Sequence, residues 1–298
     1  MPLVSTRSVL EIAERKNFAL PAFNVSNLEF MVWCLEQAQE MDYPIIVQIA
    51  PVEYRPLDIK AMASALEALS QRYSIPFSLH LDHAHEIKEV MEAIQSGFSS
   101  VMIDGSRLPF VENIKLTRSV VELAHMVGVS VEGEIGRVGG LEGDEHWETE
   151  GSPEDFLTTP EEAEGFVAET GVDSLAVAVG TRHGLYLDRP PKLDLDRIRA
   201  IKNRLSIPLV IHGGSGTPED QLQAAVRLGI RKINFSTVLR VAFVDGLKDY
   251  FSLHPDELFI PKIMQEIAPK VKNAVKSCII ASFPEYEDRR PCGLGRTT

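Results

Sequence analysis

Residues 79–86 read LHLDHAHE and bring three imidazoles and two carboxylates into one short stretch. An imidazole can hold a metal or move a proton near neutral pH, and a carboxylate beside it can act as a base. Two further histidines stand in polar, glycine-containing surroundings: His183 in VGTRHG and His212 in HGGSG. Three histidines with an open coordination position are a common catalytic zinc shell. The spacing of His83, His183 and His212 is no local metal motif, and only a fold could bring them together. A histidine at a strand end is as readily a hydrogen-bonded structural residue, so both readings stand at this point. His80 alternates with Asp82, which turns both to one face of a strand. His80 therefore reads as a core histidine satisfied by its neighbours, and His85 as a solvated or capping residue at a helix start. His125, His146 and His254 fall on a helix, a loop and the tail and carry no assigned chemistry.

HGGSGTPED, residues 212–220, reads as an anion cradle. Glycines let backbone N–H groups approach a phosphate, and a helix opening at Thr217-Pro218 adds its positive end. A plain strand-to-helix turn is the alternative. NFST, residues 234–237, supplies an amide and two hydroxyls beside it. GRVGGLEGDEH, residues 136–146, opens a long connection before a helix near Thr159, and reads either as an active-site lid or as a surface loop.

Eight apolar, β-branched runs precede these residues: 19–25, 44–50, 77–82, 100–104, 129–136, 174–180, 208–214 and 232–237. Amphipathic stretches lie between them. In EIKEVMEAIQSG, Ile87, Val90, Met91 and Ile94 share one helix face and Gly97 suits a stop. TPEEAEGFVAETG and TPEDQLQAAVRLG each offer a threonine cap, a proline at the first helical position and a closing glycine. Strand–helix alternation implies a parallel sheet, and eight strands imply a (β/α)8 TIM barrel. An open doubly wound sheet is the alternative, weakened by the lack of a dinucleotide fingerprint after the first strand. We expect one barrel domain over 1–298, with residues from about 239 onward as a helical tail. In a barrel, function collects at the C-terminal ends of the strands, where the polar residues fall.

The bulk numbers agree. A chain of 298 residues, 44% hydrophobic and 24% charged, can bury a large core. A net charge of −13 opposes nucleic acid or an anionic membrane as partner and requires any phosphorylated substrate to be held by local groups. The start, MPLVSTRSVLEIAERK, has no leader pattern, and no run approaches the ~20 apolar residues of a membrane span. Cys34, Cys278 and Cys292 are scattered and suggest a reduced, cytoplasmic protein.

PAFNV, LHLDHA, MIDGS-x-x-PF-x-EN-x-x-T, VE-x-E-x-G-x-x-GG-x-E, TGVDSLAVAVGTRHGLY, IHGGSG and KINFST occur in this order. Together they resemble the class II, zinc-dependent ketose-bisphosphate aldolases, especially the fructose- and tagatose-bisphosphate branch, over about residues 1–258. The resemblance implies a lyase that reversibly cleaves a ketose (bis)phosphate to dihydroxyacetone phosphate and an aldehyde through a metal-stabilised enediolate. It implies one Zn2+ per chain on His83, His183 and His212, with Glu134 near the metal. Asp82 would be the acid/base and Glu142 an acid of the mobile loop. Gly184, Gly213, Ser215, Asn234, Ser236 and Thr237 would form the ketone-phosphate site, with a monovalent cation, Na+ or K+, beside it. It also implies a homodimer or homotetramer. Four departures fall mostly on the aldehyde side. Ser236 stands where fructose-specific members usually carry Asp, Ala50 where a hydroxyl is usual, and Leu187 where lysine is common. The tail lacks the arginine that grips the second phosphate, for which Lys262, Lys270, Lys272 or Lys276 would have to substitute. A metal-dependent sugar-phosphate isomerase or epimerase would use the same enediolate, and a non-catalytic partner subunit would share the fold. Retention of Asp82, Glu142 and all three histidines favours the aldolase.

Overall fold

The structure, a computed structural model, describes residues 2–138, 156–184 and 190–285. Eight parallel strands close into a barrel in sequence order, which excludes the open sheet. They are β1 (Leu20–Asn24), β2 (Ile45–Ile49), β3 (Phe77–Ala84), β4 (Ser100–Ile103), β5 (Ser130–Ile135), β6 (Ser174–Val177), β7 (Leu209–Ile211) and β8 (Ile230–Phe235). Around them run α1 (Thr6–Lys16), α2 (Leu28–Glu40), α3 (Pro51–Tyr54), α4 (Ile59–Ser70), α5 (Ile87–Gln95) and α6 (Phe110–His125). They are followed by α7 (Pro160–Thr170), α8 (Leu195–Lys202), α9 (Glu219–Arg227), α10 (Thr237–Leu253) and α11 (Ile260–Ala281).

Local chemistry accounts for most boundaries. At α7, the Thr159 hydroxyl accepts from the Glu162 amide, and Gly171 ends the helix at φ +72. At α9 the expected threonine cap is displaced by one residue. Pro218 is the N-cap, and Thr217 instead donates its hydroxyl to the Gly213 carbonyl at 3.2 Å, bracing the turn from inside. On α5, Val90 is buried while Ile87 is 38% exposed. Glu89 takes the buried position instead, accepting from the His85 and Glu86 amides at 2.9 and 3.2 Å and closing the first turn.

The tail is two helices. α11 packs on α2, α9, α10 and β1, and its end reaches the floor of the barrel. There the Ala19 amide donates to the Ser282 carbonyl at 2.9 Å, and Phe18, Tyr43 and Phe283 stack with centroids 5.2–6.0 Å apart. That floor is the end opposite the polar residues. No helix among the described residues is long and apolar enough to cross a membrane.

Candidate active site

Strand parity places Asn24, His80, Asp82, Glu132, Glu134, Lys232 and Asn234 on the inner face, and all are buried. Parity alone would send His83 outward. Instead, the pairing of β3 with β4 shifts register between Leu81 and Ala84, and His83 sits at φ +45. A bulge of this kind re-aims a side chain, so both Asp82 and His83 face the mouth. A left-handed backbone at a non-glycine residue costs roughly 1–2 kcal/mol, a strain the surrounding barrel sustains.

The bulge brings three histidines together. Ring centroids lie 4.6 Å apart for His83–His212, 5.1 Å for His83–His183 and 6.0 Å for His183–His212. One donor atom from each lies within 4.8 Å of the others, and His83, Asp104 and Glu134 form a second such group. His212 Nδ1 and Glu134 Oε2 are 3.1 Å apart, buried, and not aligned as a hydrogen bond, so neither has a hydrogen-bond partner. Buried polar atoms left this way need an explanation. A metal ion, which an imidazole and carboxylate donor set of this kind is suited to hold, would supply it.

The outer contacts set the donor nitrogens. His83 Nδ1 lies 2.9 Å from Asp104 Oδ2, and Asp104 Oδ1 accepts from the Ser106 amide and hydroxyl at 3.0 and 2.7 Å. His212 Nε2 lies 3.1 Å from Glu132 Oε1, and Lys232 Nζ sits 2.9 Å from each Glu132 oxygen. A carboxylate on one nitrogen fixes the tautomer and turns the other toward the metal position. That leaves His83 Nε2 and His212 Nδ1 facing the cluster.

The electrostatics separate the three imidazoles. Burial and then the His83 and His212 charges push His183 well below its ordinary value, which favours the neutral imidazole. Burial also opposes the charge on His83, but Asp82 and Asp104 outweigh it and raise that group well above the ordinary range. At His212, Glu134 and Glu132 outweigh burial and raise the imidazole to about 9. His80 fills the core position expected of it. It is fully buried, 2.8 Å from Ser100 Oγ, and pushed down to about 3 by burial and Lys232.

Asp82 is held by three amides: Asn24 and Gln48 donate to Oδ2 at 2.9 and 3.1 Å, and Asn234 to Oδ1 at 3.1 Å. Burial opposes its ionisation, but the His83, Lys232 and His212 charges prevail and hold it below the usual carboxylate range. The result is an oriented, ionised carboxylate.

Beside Asp82 lies a small cavity lined by Asn24, His183, Gly184, Gly213, Ser215, Asn234, Ser236 and Thr237. Gly213 is at φ +69, and a Cβ there would strike the Arg182 carbonyl, so the cradle requires glycine. Ser215 Oγ accepts from the Ser236 and Val238 amides at 3.3 and 3.2 Å, tying the cradle to the positive end of α10. A second cavity opens on the other side of the histidines and includes Ala50, Arg55, His85, Asp104 and Arg107.

The structure therefore gathers Asp82, His83, His183, His212, Glu134 and all six residues expected at the phosphate site at one barrel mouth; Glu142, Leu187, His146 and Cys292 lie outside the described residues. His85 is not merely a helix-start residue, because it lines the mouth. The tail lysines do not reach it: Lys262 pairs with Glu257, Lys270 with Asp249 and Lys272 with Glu40, and Lys276 lines neither cavity. Asp104, Glu132, Lys232, Asn24 and Gln48 were missed. Inward parity beside Asp82, Glu134 and Asn234 was a signal for several of them.

The family model described as "Fructose-bisphosphate aldolase class-II" matches residues 4–282. The YdjI aldolase of Escherichia coli K12 is 30% identical over 92% of this chain and 95% of its own, with a TM-score of 0.79. A candidate fructose-1,6-biphosphate aldolase from Coccidioides immitis is 29% identical over 95% and 98%, with a TM-score of 0.81. Fructose-bisphosphate aldolase from Campylobacter jejuni, 22% identical over 91% and 93% with a TM-score of 0.76, shares the fold. With an aldolase barrel and its polar mouth in place, the chain belongs to the class-II fructose-bisphosphate aldolase family and is an aldolase, a carbon–carbon lyase.

Proposed function

We propose that this aldolase is zinc-dependent and reversibly cleaves a ketose phosphate into dihydroxyacetone phosphate and an aldehyde. The observation that carries the reading is the meeting of His83, His183, His212 and Glu134 beside an amide-held Asp82 and a glycine–hydroxyl cradle. When bound, zinc supplies a Lewis-acid charge beside the ketone oxygen. The chain's residues do the rest. Gly213, Ser215 and the start of α10 hold the donor phosphate, and Gly184, Asn234, Ser236 and Thr237 close around it. In cleavage, Asp82 takes the proton of the C4 hydroxyl as the C3–C4 bond breaks, and in condensation it returns that proton to the new alkoxide. Asn24, Gln48 and Asn234 keep its oxygens aimed. Glu142, by family resemblance, exchanges the proton at C3. Buried Asn234 Oδ1 and Ser236 Oγ, without hydrogen-bond partners, are suited to a Na+ or K+ beside the phosphate.

We further infer a homo-oligomer, dimer or tetramer. Leu253, Leu258, Phe259 and Ile260 are 59–86% exposed around the α10–α11 turn, an apolar group of the kind that copies of a chain cover for each other. Cys34 and Cys278 are free thiols, in keeping with a cytoplasmic setting. Incubation of the zinc-loaded protein with ketose bisphosphates, trapping the triose phosphate released, tests the reaction. Release without a triose phosphate, or rearrangement without cleavage, would contradict it.

A further inference from the structure

We infer that Glu53 is a positioning residue for the carbon–carbon bond step, acting on Asp82 through Asn24. The inference rests on the proposed role of Asp82 and adds the group that holds its amide partner. Glu53 stands on the short helix α3, just after β2, and is only 5% exposed. It lines neither mouth cavity, which separates it from the groups that meet the substrate. A buried carboxylate is costly unless it is paired and hydrogen-bonded, and here each oxygen has two donors. Oε2 accepts from the Ala50 amide at 2.8 Å and from Asn24 Nδ2 at 3.4 Å. Oε1 accepts from Arg240 Nη2 at 3.3 Å and from Ser26 Oγ at 3.4 Å. These donors come from the ends of β1 and β2 and from the first turn of α10, so one carboxylate ties three parts of the rim together.

Asn24 turns that tie into an influence on Asp82. Its Nδ2 donates to Asp82 Oδ2 at 2.9 Å as well as to Glu53, and its Oδ1 accepts from Gln48 Nε2 at 2.7 Å. A primary amide has two N–H donors on one side and an acceptor oxygen on the other. The two carboxylates therefore take both hydrogens. Reversing the amide would aim its oxygen at both carboxylates and lose the Gln48 bond. Glu53 thus fixes which edge of Asn24 meets Asp82, while the Ala50 amide and the Arg240 guanidinium fix Glu53. Such a network acts as a unit, and paired substitutions apportion it.

The proposed proton steps divide the readout. Condensation needs Asp82, whereas deuterium exchange into dihydroxyacetone phosphate without aldehyde needs the metal, the cradle and the acid at C3. The test measures the single-turnover rate of condensation of dihydroxyacetone phosphate with glyceraldehyde 3-phosphate and with glyceraldehyde, and the exchange rate. The variants are Glu53→Ala, Glu53→Gln, Asn24→Ala and Glu53→Ala with Asn24→Ala, with zinc content and circular dichroism followed in each. Glu53→Ala should slow condensation at least about tenfold, within what a misplaced group costs, and leave exchange and zinc content within about twofold. Glu53→Gln fills the same space but turns an amide N–H2 toward one pair of donors. It should show the same split with a loss of at least about threefold, and it carries the test if Glu53→Ala does not fold. With Asn24 already replaced, removing Glu53 should cost less than about twofold more, because its route to Asp82 is gone. Condensation and exchange falling together, or the Glu53 and Asn24 losses multiplying, would make Glu53 a structural clamp and overturn the inference. Unchanged condensation in both Glu53 variants would overturn it as well. No exchange in the unsubstituted zinc-loaded protein would overturn the donor reading itself, and exchange without condensation the role of Asp82, each taking this inference with it.

Discussion

Asp82 and His83 are adjacent in sequence yet both face the barrel mouth, and substitutions at Asp82 and at His183 should separate chemistry from metal binding. Asp82→Asn keeps the size and place of the side chain, but its amide nitrogen cannot accept from the donors that Asn24, Gln48 and Asn234 direct at both oxygens, and it cannot take a proton. It should retain zinc and lose cleavage by roughly 10²–10⁴-fold, the range for a general acid or base. Near-normal turnover would place the base elsewhere. His183→Ala should lose zinc, read by metal analysis, with the circular dichroism spectrum unchanged. Lys232 acts at one remove, since it neutralises Glu132, which holds His212. Lys232→Met leaves the buried Glu132 carboxylate with only its His212 and Ser174 contacts, and removing one member of such a pair typically costs about 3–5 kcal/mol. The same change should weaken zinc by about 10–100-fold, as loss of an outer-shell contact does. Denaturant unfolding and zinc titration together check this. Stability lost with zinc affinity unchanged would make Lys232 purely structural.

At the scale of elements, the eight strands and the helices between them were legible, because apolar β-branched runs alternate with amphipathic stretches bounded by Thr-Pro and Gly. The barrel mouth followed, since polar residues cluster after β3, β5, β6, β7 and β8. The bulge in β3 was not legible. Period-two parity sends His83 outward, and only the register shift against β4 turns it back. Nor was the Asp104 contact, because it depends on the β3 bulge meeting the end of the neighbouring β4. The α9 cap moved by one residue since Thr217 serves the cradle rather than the helix. That cradle gives a prediction. Gly213→Ala sits at φ +69 and meets the Arg182 carbonyl, so it should destabilise the loop by about 1–3 kcal/mol and raise the concentration of dihydroxyacetone phosphate needed for half-maximal exchange. An unchanged requirement would remove Gly213 from the phosphate site.

For the whole molecule, zinc, protons and stability are linked. The folded His212 imidazole titrates at about 9, above its ordinary value of 6.5. A raised value in the folded state stabilises the metal-free protein fully below the ordinary value, and this is lost as pH rises through about 9. Zinc binds the neutral imidazole, so its affinity rises over the same interval. The increase in Tm on adding zinc should therefore grow from pH 6.5 to about 9. An increment that is constant or shrinks over that window would contradict the assignment of His212 as ligand.

Zinc on these histidines is proposed to activate dihydroxyacetone phosphate beside Asp82 and the cradle. Deuterium exchange into dihydroxyacetone phosphate, followed by NMR in D2O with no aldehyde present, tests it most directly. The protein carrying one zinc per chain should exchange a single C–H stereospecifically. Exchange should vanish on chelation and return with one equivalent of zinc. Exchange that survives complete metal removal, or its absence from the zinc-loaded protein, would rule out zinc activation at this site.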